Sequence, residues 1–493
     1  MNNIGISRLS WRERLFRSAF PYLVCDAIAV VVAYYVTLFL RFYNPYGKQV
    51  FTWINITFNV RNNADVGDYL ANFYISNAPH IQLILIVTLT FLYTYLDYYA
   101  RRRFIRRRQN IRIVATANLI ALGAFYGYFY LTRNEFHPRS VFATLLAINV
   151  ILTILGRRIM TPLLNQSPAA TCRVLLVGQG PEAEFIARFI AITRSEGLEI
   201  VAQLPTTVPL SSDRFMASIS SLVEEHRTHL ILCAEKSLNV AQIMQLLEIA
   251  ESLDQEVKIL SDKLNVLVNE AGIPSDYFME FPLVHFAFSP ANSPTKRMRT
   301  FFFRLLAGLL LLFILPIMLI IAGLIKLTSP GPAFFVQDRI GINRIPFRMY
   351  KFRTMHERAE ELQAQIEKFN ESGEGLFKIK HDPRVTTTGR FLRRFSLDEL
   401  PQLFNVVRGE MTVVGPRPLP RRDYENYYEE WHYSRHSGLP GLTCLWQVSG
   451  RSDISFHNMC ILDDYYLRNQ NIMLDLKIIQ RTIGVVLFAK GAY

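Results

Sequence analysis

Residues 295–332, TKRMRTFFFRLLAGLLLLFILPIMLIIAGLIKLTSPGP, decide the fold of this chain. The apolar part, residues 301–327, would be about 40 Å long as a helix at about 1.5 Å per residue, long enough to cross a bilayer. Pro316 near its centre removes one helical hydrogen bond and clashes with the preceding turn. The halves, about 22 Å and about 17 Å long, are each too short for a hydrocarbon core of about 30 Å. The segment is therefore either a kinked transmembrane helix or a helix-break-helix.

Positive charge flanks this segment on both sides, which bears on its topology. The basic residues are Lys296, Arg297, Arg299 and Arg304 before it, and Lys326, Arg339 and Arg344 after it. Because Lys and Arg collect on the cytoplasmic side of membrane helices, two positive flanks favour a re-entrant helix over residues 291–330, with a break at Pro316 and both ends cytoplasmic. An ordinary kinked transmembrane helix remains the alternative. Ser329-Pro330-Gly331-Pro332 marks the exit into a new domain.

Four earlier apolar runs are also long enough to cross a bilayer, for which about 20 residues suffice. They are residues 19–40, 81–100, 113–131 and 141–159. Half of the residues are apolar and the mean hydropathy is +0.15, which indicates membrane segments. Arginines precede the first run, fill the ARRRFIRRRQNIR segment between the second and third, and follow the fourth. The positive-inside rule then predicts a four-helix transmembrane bundle over residues 1–165 with cytoplasmic ends.

Residues 166–290 alternate between strand-like and helix-like stretches. CRVLLVGQGPEAEFIARFI, from residue 172, indicates a strand, a glycine turn and a helix. Further strands are predicted at residues 198–204, 229–233 and 257–260, with a helix at residues 240–253. This alternation favours a Rossmann-like cytoplasmic domain, a parallel sheet with crossover helices.

A glycine pattern in this middle region approximates a dinucleotide fingerprint, Gly178-x-Gly180-x-x-Ala183. Pro181 follows the second glycine, however, and no acidic residue closes the second strand, where a ribose would be held. A regulatory or assembly role is favoured over nucleotide binding.

The formal net charge is +13, which suits nucleic acid, anionic lipid or phosphorylated small molecules as partners. The basic segment between the second and third runs is interpreted first as a topology signal, and basic residues beside membrane helices also bind anionic headgroups. We expect inner-membrane lipids and no nucleic acid as partners. The five cysteines are far apart and lack CxxC spacing, which argues against a zinc site or a disulfide framework.

The chemistry of the chain is expected in residues 331–493, where RRFSLDELPQLFNVVRGEMTVVGPRP (393–418) sets an acidic pair, Asp398-Glu399, among arginines. One interpretation is a capping box, in which Glu399 reaches back to the Ser396 amide and Asp398 complements a helix N-terminus. Pro401 makes this awkward because it pushes the preceding residue away from helical angles. Such local conflicts often mark functional sites.

A series of motifs in this region resembles the bacterial polyprenyl-phosphate hexose-1-phosphate transferases, the monotopic phosphoglycosyl transferases. The motifs occur in the family's order: KFRTM (351–355), DPRVT (382–386), SLDELPQLFNV (396–406), GEMTVVGPRP (409–418), PGLT (440–443) and QVSGR (447–451). The transmembrane bundle and the Rossmann-like domain look like the long form of that family, which starts O-antigen, capsule and exopolysaccharide repeats. Two departures are Leu-Pro at the helix break, where Ser-Pro is common, and Cys444 after PGLT.

The resemblance implies transfer of hexose 1-phosphate from a UDP-sugar to undecaprenyl phosphate, with release of UMP. It makes Asp398 the nucleophile that forms a covalent phosphosugar-aspartate, and Glu399 its partner, linked to Mg²⁺ and to acid-base work. The candidate phosphate-binding or substrate-binding residues are Lys351, Arg353, Arg393, Arg417, Arg451 and Asp463. It also implies a mainly helical catalytic domain that lies on the cytoplasmic side of the bacterial inner membrane.

The chemistry is reasonable on physical grounds. A carboxylate that attacks a diphosphate meets anion-anion repulsion of about 4 kcal/mol at 4 Å for an effective dielectric of about 20. Mg²⁺ and fixed arginines would offset this repulsion, and a covalent aspartate intermediate would divide one transfer into two displacements. Because UDP-sugars are cytosolic, the re-entrant topology is favoured.

Two other functions remain as alternatives. A non-catalytic membrane scaffold or sensor, with a nucleotide-binding Rossmann-like module, would leave the acidic pair dispensable. A glycoside hydrolase is disfavoured because adjacent carboxylates do not flank a sugar ring at about 5 to 9 Å. Neither the choice between galactose and glucose nor the oligomeric state follows from the sequence, although a homodimer is plausible.

Overall fold

The computed structural model describes the chain in a series of segments, to which all structural statements refer. They are residues 20–49, 67–96, 107–131, 139–165, 171–192, 198–205, 213–253, 255–271, 276–278, 281–286, 294–356, 359, 382–421, 424, 428–450 and 454–487. Arg451, one of the predicted phosphate-binding residues, lies outside the described residues, as does the basic segment 101–106.

Apolar helices form the N-terminal region, as the sequence predicted. They are α1 (Phe20–Leu38, continued by a π-helical turn, Phe39–Tyr43), α2 (Gly67–Ser76), α3 (Ala78–Tyr95), α4 (Arg107–Leu131) and α5 (Arg139–Asn165). By length and composition, α1, α3, α4 and α5 could each cross a membrane. Their inner faces share one apolar core, in which Leu85 and Leu89 of α3 are fully buried.

Buried polar groups also tie these helices together. Asn118 on α4 donates to the Tyr93 hydroxyl of α3 over 3.0 Å, and the Asn149 side chain on α5 donates to the side-chain Oδ1 of Asn118 over 3.0 Å. Arg157 of α5 pairs with Asp26 of α1 at 3.2 Å. Because an unpaired polar group in hydrocarbon is costly, these bonds help to fix which helix faces which.

The middle region contains a mixed six-stranded sheet rather than the wholly parallel sheet that the sequence suggested. Strands β1 (Cys172–Val177), β2 (Leu198–Leu204), β3 (Leu230–Cys233) and β4 (Glu256–Leu260) are parallel, and the sheet order is β2-β1-β3-β4-β6-β5. The helices between them are α6 (Pro181–Ile192), α7 (Asp213–His226) and α8 (Val240–Ser252), and the short α9 (Asn265–Asn269) follows β4. Strands β5 (Asp276–Phe278) and β6 (Phe281–Phe286) form an antiparallel hairpin on the β4 edge.

The glycine turn of this sheet has a definite structural reason. Gly178 has a φ of +133°, and a Cβ there would lie 2.8 Å from the carbonyl oxygen of Ala234. A residue with a side chain would therefore be strained and would collide with the neighbouring strand end. The Gln203 side chain donates to the Gly178 carbonyl over 2.9 Å and closes the turn from the other side.

The long apolar segment forms one helix, α10 (Pro294–Thr328), and Pro316 lies inside it. The helix continues through Pro316 without a loop, so the predicted break can only take the form of a kink within the helix, for which proline is a common cause. Proline removes a single hydrogen bond, and packing on both sides of it can keep the helix intact. Leu311 and Ile314 precede the proline and Met318 follows it, and all three pack against the C-terminal region.

The C-terminal region begins with a strand pair. Strands β7 (Phe334–Ile340) and β8 (Pro346–Phe352) are antiparallel around a 3₁₀ turn in which Asn343 has a φ of +54°. Then follow α11 (Thr387–Arg394), α12 (Gln402–Arg408), β9 (Thr412–Val414), β10 (Gly441–Thr443), α13 (Phe456–Arg468) and α14 (Ile472–Leu487). The apolar core of the middle sheet continues into α13, where Tyr465 meets Phe286 of β6 with ring centroids 5.4 Å apart.

Candidate active site

A sharp turn between α11 and α12 carries the acidic pair. Helix α11 begins at the cap residue Thr386, whose hydroxyl accepts from the Gly389 amide over 2.9 Å. A Cβ on Gly389 would lie only 2.0 Å from the Thr354 carbonyl oxygen, so α11 can approach the end of β8 only because this residue is glycine. After α11 the chain turns at Ser396, and a short 3₁₀ turn, Leu397–Glu399, presents both acids.

The capping-box interpretation of the pair is not confirmed. Ser396 has a left-handed backbone with a φ of +54°, and its side chain makes no capping hydrogen bond. Glu399 instead bonds two cations from other elements. A non-glycine residue with positive φ is uncommon and costs about 1–3 kcal/mol, which surrounding structure must offset.

Glu399 lies between two positively charged side chains. Its Oε1 is 2.5 Å from an Arg417 guanidinium nitrogen and 3.1 Å from the Lys351 Nζ. The three side chains are only 17–25% exposed. Burial alone would raise the pKa of Glu399, but Arg417 and Lys351 outweigh it and hold the pKa well below its usual range. Glu399 is therefore ionised at neutral pH.

Asp398 is 8% exposed and has a different electrostatic environment. Burial raises the pKa of Asp398 and the Glu399 carboxylate adds to this, although Lys351, Arg393 and Arg417 act in the opposite direction. Two adjacent acids thus have pKa values that are pushed apart, a pattern typical of catalytic carboxylates.

The basic residues predicted for phosphate binding fall into two groups. Lys351 and Arg417 contact Glu399 directly, and Arg393 lies near enough to Asp398 to change its pKa. Arg393 is also held by a bond from its Nε to the Thr354 hydroxyl over 3.0 Å. Arg353 instead donates to the Ser329 carbonyl at the end of α10 over 2.8 Å.

Asp463 contacts the acidic pair indirectly, through Arg435 and Arg417. It is 1% exposed and pairs with Arg435 at 2.6 Å, and Arg435 also donates to the backbone carbonyl of Arg417 over 2.9 Å. Burial raises the pKa of Asp463 to about 6, although Arg435 lowers it. Sequence reasoning missed Arg435, because no motif marked it and its contacts depend on the tertiary fold.

Carboxylates that could hold Mg²⁺ are present in the acidic pair. Mg²⁺ is commonly bound by one or two carboxylates together with substrate phosphates. Glu399 uses Oε1 for both cations. Within the described segments, its Oε2 has one long contact, 3.4 Å to Arg417, and so keeps lone pairs for a metal. The residues therefore fit the predicted ion.

A second group of potential ligands was not predicted. Glu429, His432 and His457 bring one ligand atom each within 4.8 Å of one another. The Nδ1 atom of His432 already accepts from the Glu429 amide over 2.9 Å, which leaves its proton on Nε2. A metal at Nε2 would require the other tautomer, so this cluster is better explained as a cap for the 3₁₀ helix Glu430–Ser437.

Comparison with known proteins gives the site a family context. Residues 294–489 match the model of a family described as bacterial sugar transferase. An exopolysaccharide production protein ExoY of Sinorhizobium fredii is 40% identical over 193 residues, which cover 38% of this chain and 85% of that protein. The matched residues include α10, β7–β8 and the acidic pair.

Two longer relatives carry more specific names. An undecaprenyl-phosphate galactose phosphotransferase of Salmonella typhimurium is 42% identical over 167 residues, 33% of this chain and 35% of that protein. An undecaprenyl-phosphate glucose phosphotransferase of Komagataeibacter xylinus is 30% identical over 331 residues, 65% of this chain and 60% of that protein. The second similarity extends well beyond the C-terminal region.

Proposed function

The chain belongs to the bacterial sugar transferase family, as its motifs predicted, and on this premise we propose that it transfers hexose 1-phosphate from a UDP-sugar to undecaprenyl phosphate. The observation that carries the proposal is the acidic pair, in which a buried Asp398 adjoins a Glu399 held by Lys351 and Arg417. The names of the two phosphotransferase relatives support galactose or glucose as the hexose.

The reaction would proceed in two displacements. In the first, an Asp398 carboxylate oxygen attacks the phosphorus that carries the sugar, the bond to the bridging oxygen breaks, and UMP leaves. In the second, an oxygen of the lipid phosphate attacks the same phosphorus, the aspartyl bond breaks, and the carboxylate is restored while a lipid diphosphohexose forms. A covalent intermediate lets a soluble donor and a membrane-bound acceptor use one site in turn.

The fixed cations explain how a carboxylate can approach a diphosphate. Lys351, Arg393 and Arg417 surround the pair, and each lowers the pKa of Asp398, so each favours the ionised nucleophile. The same charges would attract the phosphates and hold them for in-line attack. Glu399 would hold Mg²⁺ through Oε2, and bound Mg²⁺ would supply charge neutralisation at the phosphoryl oxygens.

The contacts of α10 support a topology in which both of its ends lie on the cytoplasmic side. Near its start, Arg299 pairs with the fully buried Asp475 of α14 at 2.9 Å. After its last residue, the Ser329 carbonyl accepts from Arg353. Since both ends of the helix bond to the same catalytic region, we expect a kink at Pro316 that returns them to the same face of the membrane, where UDP-sugars are found.

The topology can be tested by cysteine labelling in cells. Arg297→Cys and Pro330→Cys place thiols at exposed positions near the two ends of α10. We expect both to react only with a reagent that reaches the cytoplasm. Labelling of one of them from the opposite side would refute the same-side topology.

The activity can be tested on the full chain in nanodiscs. Repeated turnover with UMP release is expected with UDP-galactose or UDP-glucose only when undecaprenyl phosphate and Mg²⁺ are present. Without the lipid, at most one UMP per protein molecule should appear, from the first displacement. Asp398→Asn should lower it at least about 1,000-fold, because the nucleophile is lost. Asp338→Asn, the same change at an exposed position on β7, is the control. UMP release that survives Asp398→Asn would defeat the mechanism, and its absence in the unmodified protein would favour a non-catalytic scaffold.

A further inference from the structure

Arg353, directly after β8, is a buried cation with unused hydrogen-bond donors. It is 7% exposed, and one guanidinium nitrogen donates to the Ser329 carbonyl over 2.8 Å. Among the described residues, its Nε and its other terminal nitrogen have no hydrogen-bond partner. The hydroxyl of Ser329, a residue only 6% exposed, is also buried and has no hydrogen-bond partner in the described part of the chain.

Such an arrangement is physically incomplete. An arginine side chain stays charged in proteins, and a buried charge is costly unless an anion and hydrogen bonds compensate it. Within the described segments, the ion pairs of the C-terminal region give Arg353 no carboxylate partner. A phosphate monoester would supply the missing charge, and its oxygens could accept from the two guanidinium nitrogens that lack a partner and from the serine hydroxyl.

The position of Arg353 relates this anion to the reaction. Two residues earlier on the strand, Lys351 bonds Glu399. The next residue, Thr354, accepts from Arg393, the arginine that acts on Asp398. The free donors therefore lie on the same stretch of chain as the catalytic cations.

The same position adjoins the membrane helix. Ser329 follows the last residue of α10, and the last turns of that helix expose Leu324 and Leu327, which are 49% and 86% exposed. Apolar surface of this kind suits lipid chains. A lipid that packs against it could bring its headgroup to Arg353 and Ser329.

We propose that Arg353 and Ser329 form a binding subsite for the phosphate monoester of the membrane-embedded acceptor lipid. This subsite rests on the proposed transferase function and adds to it a place, separate from the Lys351–Glu399–Arg417 group, where the acceptor is held before it attacks the aspartyl intermediate. No bond forms or breaks at this subsite.

The first test compares Michaelis constants in nanodiscs. Arg353→Gln should raise the KM for the polyprenyl phosphate about 10- to 100-fold, since charge-assisted hydrogen bonds are worth about 1.5–3 kcal/mol. The KM for the UDP-sugar should not change. Ser329→Ala should have a smaller effect in the same direction, and Arg353→Lys should restore part of the lost affinity. Arg348→Gln removes an exposed arginine from the same strand and is the matched control.

The subsite is overturned if both Arg353 variants change the KM for polyprenyl phosphate and the KM for the UDP-sugar equally. It is also overturned if neither KM changes. Melting temperatures of the variants identify a merely structural effect, because loss of folded protein lowers the maximal rate without changing the ratio of the two constants. If the unmodified protein releases no UMP, the proposed function fails, and the binding measurement below still tests the subsite.

The second test measures binding without turnover and separates the possible sources of phosphate. One sample contains the protein in phosphatidylcholine nanodiscs with inorganic phosphate in the buffer. The other contains the protein in phosphatidylcholine nanodiscs that include polyprenyl phosphate. We expect thermal stabilisation of the unmodified protein only by the lipid phosphate, and loss of that stabilisation in Arg353→Gln but not in Arg348→Gln. Equal stabilisation by inorganic phosphate would overturn the assignment to a lipid.

Discussion

The ion pair between Lys351 and Glu399 provides a quantitative test of the site. Its atoms are 3.1 Å apart and its side chains are 18% and 17% exposed. At an effective dielectric of about 20, the gross attraction over that distance is about 5 kcal/mol. Desolvation offsets part of it, and double-mutant cycles on close pairs of this kind give about 1.5–7 kcal/mol. We expect a coupling free energy of about 2–4 kcal/mol.

The assay is a double-mutant cycle on the stability of the full chain in detergent, with Lys351→Met, Glu399→Gln and the double variant. Each kcal/mol corresponds to about 2–4 °C in melting temperature for a domain of this size. The change in melting temperature of the double variant should therefore differ from the sum of the two single changes by about 4–16 °C. The matched control is Lys236 with Glu182, a pair of the same residue types at 3.0 Å whose side chains are 39% and 23% exposed.

The control pair should couple by less than about 1 kcal/mol, because solvent screens exposed pairs. A coupling for Lys351 and Glu399 no larger than that of the control would refute the reasoning that burial strengthens this contact. A large coupling in both pairs would also refute this reasoning, since the distance between the charges, and not their burial, would then set the coupling free energy.

Three further results are expected. The acid limb of the kcat/KM profile should lie above the usual aspartate pKa of about 3.9, because burial raises the pKa of Asp398 and catalysis needs its ionised form. Glu399→Gln should move this limb to lower pH, because the Glu399 carboxylate also raises the pKa of Asp398. An acid limb that stays below pH 4 in the unmodified protein would contradict this. Asp475→Asn should lower stability by about 3–5 kcal/mol in thermal unfolding, because it leaves the Arg299 charge buried without its partner, whereas Glu184→Gln in an exposed pair should have little effect. Chelation of divalent ions should abolish UMP release and added Mg²⁺ should restore it, while full activity in chelator would remove Mg²⁺ from the proposal.

The sequence predicted the main elements because their signals are local. The apolar runs and the parallel strands each follow from a short window of residues. The hairpin of β5 and β6 was missed because its strands are short and have no marked alternation. The break at Pro316 stays a prediction from the local rule for proline, whereas the packing of α10 against the catalytic region on both sides of Pro316 depends on the tertiary fold.

The site was predictable where a motif names its residues, and less so where partners come from distant segments. The acidic pair and Lys351 were identified by their motifs, and the structure brings Arg417 to Glu399 across 18 residues of chain. The contact of Asp463 with Arg435 could not be read from the sequence, since it joins two helices through their tertiary packing. The positive φ of Ser396 is likewise set by the fold around it.

The sharing of α10 between two apolar clusters limits how this protein can be prepared. Ala307 packs with Met349 and Leu403, and Met318 packs with Phe352. A fragment cut after residue 328 would expose these apolar surfaces to water and should aggregate. A water-soluble form of the catalytic region would therefore need polar replacements on the domain itself as well as removal of the helix.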